Sequence, residues 1–533
     1  MKRLLHGLGI AVALVTLLAA AAPDPARAPA PWPWPMNARR DGPLRIVFVS
    51  RNPAPDAPVR GVPGFGSHHR AMATGGRLMV AEGWRAPFEL GRDLQYFDVS
   101  GPAVAPNGRQ LAFAAATHAD SGWRIRWFAV TEDLALFRPM PIPPANLPGR
   151  YDDLDPCWLD DSTLVFASTR DGQRSQYDGT PVTQLFRYGV RDHTLARLTA
   201  ERNGAEEPCV DPRTGRIVYS RWWFNRVRPD SAAGDTVNFW QAISIAPDGT
   251  DSRVVSAARE PRHASLRQPA IARDGAIFGV VADALGLSPA SGATEITRRP
   301  RPNAPPSHVA GARFDPADTP RYGSARGLAS PSALSPAPLA DGSILYSLDP
   351  GGRGDFGIWW ANSDGSDAER LVDLPGTLEL DAVAWEPSPV SRKPKPAVAL
   401  APTPRTVAEL SQWPARFRFL NRNVFGGGFG AREAKAARAA GPVKIRFWAV
   451  LPRENAEHGD TLVLVRESEV AKSGRVDQRD LPAGIPMFEQ LVDANGTVLR
   501  SAHGPAHVAG FNVGIPGKTS TCVGCHRTHS TGP

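Results

Sequence analysis

Five stretches of this chain repeat one pattern, and this repeat restricts the fold more than any other feature. Each has a proline, a short extended piece, a turn such as Asn107-Gly108, and then a run of alternating apolar residues. Such turns favour β-hairpins, and the alternation favours a strand. The five stretches are "GPAVAPNGRQLAFAAAT" from 101, "DPCWLDDSTLVFAST" from 155, "EPCVDPRTGRIVYSR" from 207, "QPAIARDGAIFGVVA" from 268 and "SPAPLADGSILYSLD" from 335.

The spacing of the repeats indicates their architecture. Their prolines are 54, 52, 61 and 67 residues apart, at Pro102, Pro156, Pro208, Pro269 and Pro336. This suits four-stranded blades joined by loops of variable length. An early strand, "LRIVFVS" from 44, and a late one, "DAVAWEPSP" from 381, are placed to complete or close a ring. We predict an all-β chain with a β-propeller of about six blades over 43–393. A β-sandwich array is the alternative, which the repeated order of hairpins disfavours.

A second β-rich unit follows. The proline-rich stretch 394–420 is predicted to be a linker. Residues 421–500 contain the alternating runs "VKIRFWAVLP", "DTLVLVRESEV" and "GIPMFEQLVDANGTVLRS", with Asn495-Gly496 as a hairpin turn. We predict a small β-sandwich-like module here, followed by a c-type haem segment over 501–533. A module of this size is only marginally stable alone, so a packed haem would stabilise it.

The N-terminus predicts export. Lys2 and Arg3 precede a short uncharged apolar run and then small residues, the pattern of a signal peptide over 1–28. Residues 29–42 then form a linker. A retained membrane anchor is the alternative to a cleaved signal peptide. We expect a periplasmic or otherwise exported protein that is not an integral membrane protein after cleavage. The formal charge of +8 is dispersed along the chain, which argues against a nucleic-acid partner.

The sequence "CVGCH" indicates a covalent haem. Cys522 and Cys525 have the spacing that lets two thiols add to the two vinyl groups of one haem c, and His526 then becomes the proximal iron ligand. A disulfide or half of a zinc site would be the other interpretations. A zinc site needs a second ligand pair nearby, and an export signal suits haem attachment. We therefore predict one covalent haem.

The second axial ligand is less constrained. His507 is the first candidate for the distal position, because the chain after 501 is long enough to fold back over the ring. His503 is placed similarly. Met487 is a further option, although it lies in a predicted strand, where methionine is more often a core residue. A strong distal ligand would favour electron transfer, and an open position would favour small-molecule chemistry.

Two more cysteines share one repeat position. Cys157 and Cys209 directly follow their repeat prolines, where Ala103, Ala270 and Ala337 stand in the other repeats. On the innermost strand of a propeller, equivalent positions of consecutive blades meet near the central channel. The pattern leaves three alternatives: a disulfide between blades, two small buried thiols, or a site for a metal or haem that uses thiols and carboxylates.

Longer stretches resemble a known family. The repeat is similar to TolB-like propeller repeats with a "P-x-x-S-P-D-G" turn. "YDDLDPCWLDDSTLVFASTR", "GRIVYSRWWFNR" and "ISIAPDGTDSRVV" resemble the hydrazine synthase α-subunit family, as does the order "LPAGIPMFEQLVDANG" then "CVGCH". The resemblance implies a propeller, a small β module and a c-type haem. That family carries a further C-terminal haem domain, whereas this sequence has one haem motif, so the resemblance carries the architecture and not the hydrazine-forming activity.

These observations predict a monohaem c-type cytochrome that acts in redox chemistry. It would transfer electrons or act as a haem-centred oxidoreductase, with a redox partner protein or a small molecule as its partner. The alternative is a non-enzymatic propeller that binds a protein or polymer, with a structural or sensory haem. A shared fold does not by itself assign a reaction.

Overall fold

The structure is a computed structural model. It describes residues 44–522 except 56–61, 67–68, 84, 132–133, 135, 144–148, 225–237, 257–264, 283–292, 303, 315–330, 389–393, 427–430, 453–459, 502–503 and 506–511. The predicted signal peptide and the residues after Cys522 lie outside this part of the chain.

Six four-stranded antiparallel sheets follow one another along the chain, as blades of a propeller do. The first three use β1 (Arg45–Arg51), β2 (Gly76–Glu82), β3 (Phe88–Glu89), β4 (Asp98–Val104), β5 (Gln110–Ala116), β6 (Arg124–Val130), β7 (Leu136–Pro141), β8 (Asp153–Asp160), β9 (Thr163–Ser168), β10 (Gln184–Gly189) and β11 (Leu195–Arg197). The next three use β12 (Ala205–Val210), β13 (Ile217–Phe224), β14 (Asn238–Ile245), β15 (Arg253–Val254), β16 (Arg267–Ile271), β17 (Ile277–Ala282), β18 (Thr294–Arg299), β19 (Ser307–Gly311), β20 (Ser332–Pro338), β21 (Ile344–Asp349), β22 (Gly357–Ala361) and β23 (Glu369–Val372). One 3-10 turn, Arg92–Leu94, lies between β3 and β4.

The ring is closed by the last propeller strand. Strand β24 (Leu378–Ala384) pairs antiparallel with β1, so the first blade combines the two ends of the propeller sequence. It is the innermost strand of that blade, in the position that β4, β8, β12, β16 and β20 occupy in the other five. The six-bladed, all-β fold predicted from the repeat is therefore confirmed.

Each innermost strand has a bulge at the same place. The residue before the repeat proline, or before Ala382 in β24, has a left-handed backbone, with φ between 44° and 58° at Gly101, Asp155, Glu207, Gln268, Ser335 and Asp381. Its side chain bonds to the corresponding residue of the next blade. The Glu207 N–H donates to Asp155 (3.0 Å), and the Gln268 N–H donates to Glu207 (2.7 Å). Five of the six pairs of neighbouring blades are joined by such a hydrogen bond. The pair that begins at Gly101 lacks it, because glycine has no side chain.

The C-terminal module has two facing sheets. Its elements are α1 (Val407–Ser411), β25 (Arg416–Asn421), α2 (Ala431–Ala439), β26 (Lys444–Leu451), β27 (Thr461–Glu469), β28 (Val476–Pro482), β29 (Pro486–Val492), β30 (Arg500–Ser501), β31 (Gly504–Pro505), β32 (Asn512–Val513) and β33 (Thr519–Cys522). One sheet has the order β28-β25-β33, and the other has β27-β26-β29-β32. Phe419 and Phe447, one from each sheet, meet edge to face with ring centroids 5.1 Å apart. The module is thus sandwich-like.

The module differs in extent from the sequence-based expectation. Helix α1 and all of strand β25 except its last residue fall in the stretch 394–420 that the sequence predicts to be a linker, and β33 falls in the predicted haem segment. The alternation "RFRFLN" of β25 is short and follows a proline-rich run, which hides it. In the structure β25 is a module strand and not a linker, because its Phe417 and Phe419 side chains are buried in the module core.

The linker lies against the propeller. The Leu400 N–H donates to the Arg197 carbonyl (3.0 Å), and Arg197 Nη1 donates to the Ala401 carbonyl (2.9 Å). The module itself also contacts the propeller. The guanidinium of Arg202, which lies just after β11, donates two 2.6 Å hydrogen bonds to the Asp460 carboxylate of the module. These contacts join the linker and the module to the edge of the third blade.

No helix in the described parts of the chain is long and apolar enough to cross a membrane.

Candidate functional site

A cavity of about 470 Å³ lies between the propeller and the C-terminal module, and Cys522 is part of its wall. The module contributes strands β25, β29, β32 and β33 to the lining. The propeller contributes β13, β14 and the segment that follows β11, and Leu400 of the linker completes it. The volume is within the range of small-molecule and cofactor sites, which often form between domains.

The module wall combines apolar side chains with a buried acid and several polar residues near its C-terminal strands. Met487 and Glu489 are two residues apart on β29, so both point to the same face, into the space between the two sheets. Phe417 and Phe419 line the cavity from β25. Glu489 is 5% exposed and accepts a 2.7 Å hydrogen bond from Asn512 Nδ2. Burial raises the pKa of Glu489 to about 7.

The propeller wall is polar. Glu201, Tyr219 and Arg221 line the cavity and are at most 8% exposed. The Tyr219 hydroxyl donates a 2.8 Å hydrogen bond to Glu201 Oε1. Burial raises the pKa of Glu201, and the nearby Arg221 acts in the opposite direction. This wall therefore holds the buried Arg221 cation next to Glu201, whose uncharged, protonated form is favoured by burial.

Cys522 is the one residue of the predicted haem motif that the structure describes. It ends β33, which pairs in parallel with β25, and its side chain packs partly buried against the module core. Burial, and next the charge of Glu489, raise the pKa of the Cys522 thiol to about 12. Cys525, His526 and His507 lie outside the described residues.

The residues present fit a haem. Cys522 stands in the wall, aromatic and aliphatic side chains supply an apolar surface, and Arg221 Nε is a buried donor without a hydrogen-bond partner among the described residues. Met487, a candidate distal ligand from the sequence, is 1% exposed and lines this same cavity. A haem needs apolar side chains against its ring, together with cations for its propionates.

The central channel of the propeller is a second cavity, of about 460 Å³. Cys157 and Cys209 line it from adjacent innermost strands, where the repeat predicted them, and both are free thiols in the structure. Among the described residues, no three His, Cys, Asp or Glu side chains are placed to hold a metal ion. In the structure both cysteines are partly buried.

One side of this channel meets a loop from the first blade. Arg70 of the loop between β1 and β2 is 5% exposed and forms an ion pair with Asp155. Its Nη1 lies 3.2 Å from Glu206 and 3.4 Å from Glu207. Arg267 contacts the same two glutamates, at 2.8 and 3.0 Å. Two arginines thus pair with three carboxylates here, and both arginines contact the same two glutamates.

The channel thiols are expected to be unreactive in the native protein. Burial raises the pKa of Cys157 to about 12 and that of Cys209 well above its usual value. Because the thiolate is the reacting species, we expect labelling of Cys157 at pH 8 to be roughly a thousandfold slower than for an ordinary thiol, and labelling of Cys209 to be slowed in the same direction. A disulfide-exchange reagent should detect neither thiol in the native protein and both after denaturation without reductant. Detecting neither after denaturation would instead show a disulfide.

Glu489 should make stability depend on pH. Its folded pKa of about 7 lies above the usual glutamate pKa of 4.5, so between these values the folded protein keeps a proton that the unfolded chain has lost. Stability then falls as pH rises from about 4.5 to about 7, by about 3 kcal/mol, and is level above that range. Chemical denaturation of Glu489→Gln should show a flatter profile. The exposed Glu467→Gln serves as control and should keep the wild-type slope; an unchanged slope in Glu489→Gln would contradict this expectation.

No protein-family model and no curated protein matches this sequence. Among solved structures, Kuenenia stuttgartiensis hydrazine synthase is similar over 91% of this chain and 69% of its own, with a TM-score of 0.64 and 14% identity. TolB from Acinetobacter baumannii matches over 64% of this chain and 66% of its own, with a TM-score of 0.40 and 10% identity. At 91% coverage the likeness to hydrazine synthase extends over both propeller and module, and it shows a shared fold.

Proposed function

We propose that this protein is an exported monohaem c-type cytochrome whose haem occupies the cavity between the propeller and the module. Cys522 and Cys525 would hold the haem covalently, and His526 would bind its iron. The observation that supports this most directly is the position of Cys522: the motif begins in the wall of a cavity of about 470 Å³, next to the apolar side chains Phe417, Phe419 and Met487. The export signal predicted over 1–28 agrees with it.

The haem would supply one-electron chemistry, and the chain's own residues would shape its surroundings. Glu489 and Glu201 line the cavity from opposite walls, and burial raises the pKa of each. With a pKa of about 7, the Glu489 carboxyl could hold or release a proton close to neutral pH beside a redox centre. This supports a role in redox chemistry, as an electron-transfer protein or as an oxidoreductase similar to hydrazine synthase in fold.

A visible spectrum of the exported protein, oxidised and reduced, with and without carbon monoxide, tests this proposal. Haem bands that survive denaturation would support a covalent cytochrome, and no haem in the wild type would refute it. A reduced spectrum unchanged by carbon monoxide indicates a filled distal position and electron transfer. Variants of the two distal candidates, His507→Ala and Met487→Leu, would then show which residue fills it. A shift with carbon monoxide indicates an open iron and small-molecule chemistry.

The second candidate is a binding propeller with a structural or sensory haem. The central channel favours it, because a cavity of about 460 Å³ lined by proline-rich strands lies away from the haem cavity. A haem whose reduction state has no effect on partner binding, together with capture of a protein or polymer at the channel, would support this function over redox chemistry.

A further inference from the structure

The propeller wall of the cavity contains a buried guanidinium with most of its donors unused. Arg221 is 3% exposed, and it lines the cavity from β13. Among the described residues, its one hydrogen bond is from Nη2 to Gln241 Oε1, at 2.5 Å. Nε has no partner among these residues. A guanidinium has five N–H donors, so four are left without a described acceptor.

The neighbours of Arg221 do not complete its coordination. The guanidinium stacks over the Trp223 ring, with its carbon 4.1 Å from the ring centroid. Glu201 is its nearby acid, but the hydrogen bond described at the Glu201 carboxyl comes from the Tyr219 hydroxyl. Lys518, another cation of the lining, is solvent-exposed. A buried charge without an anionic hydrogen-bond partner is costly, so this arrangement suits an anion that enters the cavity.

We propose that Arg221 binds a carboxylate in the cavity, and that this carboxylate is a propionate of the haem attached at Cys522. The proposal rests on the haem assignment above. A planar guanidinium matches a carboxylate with two parallel N–H···O bonds, which a lysine cannot reproduce. Because Arg221 belongs to the fourth blade and Cys522 to the module, the haem would connect the two units, and the propeller would act as a positioning element for the cofactor.

The test compares Arg221→Gln and Arg221→Lys with the wild-type haem protein by reduction potential and by the propionate bending bands in resonance Raman spectra. Removing a charge at roughly 10 Å from iron should disfavour the reduced state about tenfold. For one electron this is a fall of about 59 mV. Arg221→Gln should also shift the propionate band. The reduction potential of Arg221→Lys should stay close to that of the wild type, because the variant keeps the positive charge. Its propionate band should still shift, because lysine cannot make the bidentate contact.

The matched control is Arg253→Gln. Arg253 lies on β15 of the same blade, and its side chain is 66% exposed. Solvent screens it, so neither readout should change. If Arg221→Gln does not fold, the Raman band of Arg221→Lys decides. Unchanged bands in folded, haem-containing Arg221 variants would overturn the inference, even if the potential moved, because the potential alone reports charge at a distance.

Further outcomes show whether the bound carboxylate is a propionate or a soluble anion, and whether a failure concerns Arg221 or the haem itself. If added acetate shifts the wild-type spectrum but not that of Arg221→Gln, the site takes a soluble carboxylate, and the propionate assignment is wrong. If the wild-type protein contains no haem, the proposed function itself fails. If haem is present and the Arg221 variants match wild type in their Raman bands, only the role of Arg221 fails.

Discussion

Replacing both Cys522 and Cys525 by alanine is expected to remove all covalently bound haem from the exported protein. Each thiol forms one thioether bond in a "C-x-x-C-H" site, so the double variant has no covalent link left. A denaturing gel stained for haem should change from a clear band to none. The Soret band of the purified protein should fall at least tenfold after acid extraction, which removes non-covalent haem.

The channel cysteines offer a matched control for this variant. The variant Cys157→Ala with Cys209→Ala also removes two thiols, and alanine already stands at the equivalent positions Ala103, Ala270 and Ala337 of other blades. This control should therefore fold and keep its haem. Covalent haem that persists in the Cys522/Cys525 variant would contradict the attachment site, and equal loss in both variants would point to a general folding defect.

The sequence predicted the propeller because a propeller is built from local units. Each blade needs only hairpins whose turns and alternation are visible over about 50 residues, as around Asn107-Gly108. The first blade was harder to recognise, since its inner strand β24 has Asp381-Ala382 where other blades have a residue and a proline. The left-handed bulge before each proline was not predicted. Its signal was the residue series Gly101, Asp155 and Asp381, types that tolerate positive φ.

The cavity was predictable only on one side. Cys522 was identified from its motif, and alternation along "MFEQLV" could have shown that Glu489 faces inward with Met487 and Leu491, an unusual place for an acid. Glu201, Tyr219 and Arg221 were missed. Nothing local distinguishes "YSR" in β13 from other strand residues, because their place in the cavity depends on where the module docks. That docking is set by contacts more than 200 residues apart in sequence, such as Arg202 with Asp460.

Replacing Asp460 by asparagine is expected to detach or destabilise the module strongly. Asp460 accepts two 2.6 Å bonds from Arg202 and one of 2.6 Å from Gln176, and both charged side chains are 3% exposed. Without the carboxylate, the Arg202 charge stays buried and unpaired. Breaking one side of a buried ion pair costs about 3–5 kcal/mol. Denaturant unfolding should show an earlier transition of the module, and a protease should cut the chain between propeller and module faster.

Two comparisons identify the physical cause of the loss. Asp477→Asn breaks the exposed pair with Arg418 in the same module, whose side chains are 29% and 35% exposed, and should have a far smaller effect. The double variant Arg202→Met with Asp460→Leu removes both charges and should recover most of the stability, because a buried pair is often replaceable by apolar side chains of similar volume. If the double variant is as unstable as Asp460→Asn, then the instability of Asp460→Asn comes from the lost attraction between the two charges. The cost of leaving the Arg202 charge buried and unpaired would then not be its cause. A wild-type unfolding curve for Asp460→Asn would show that this contact does not hold the module at all.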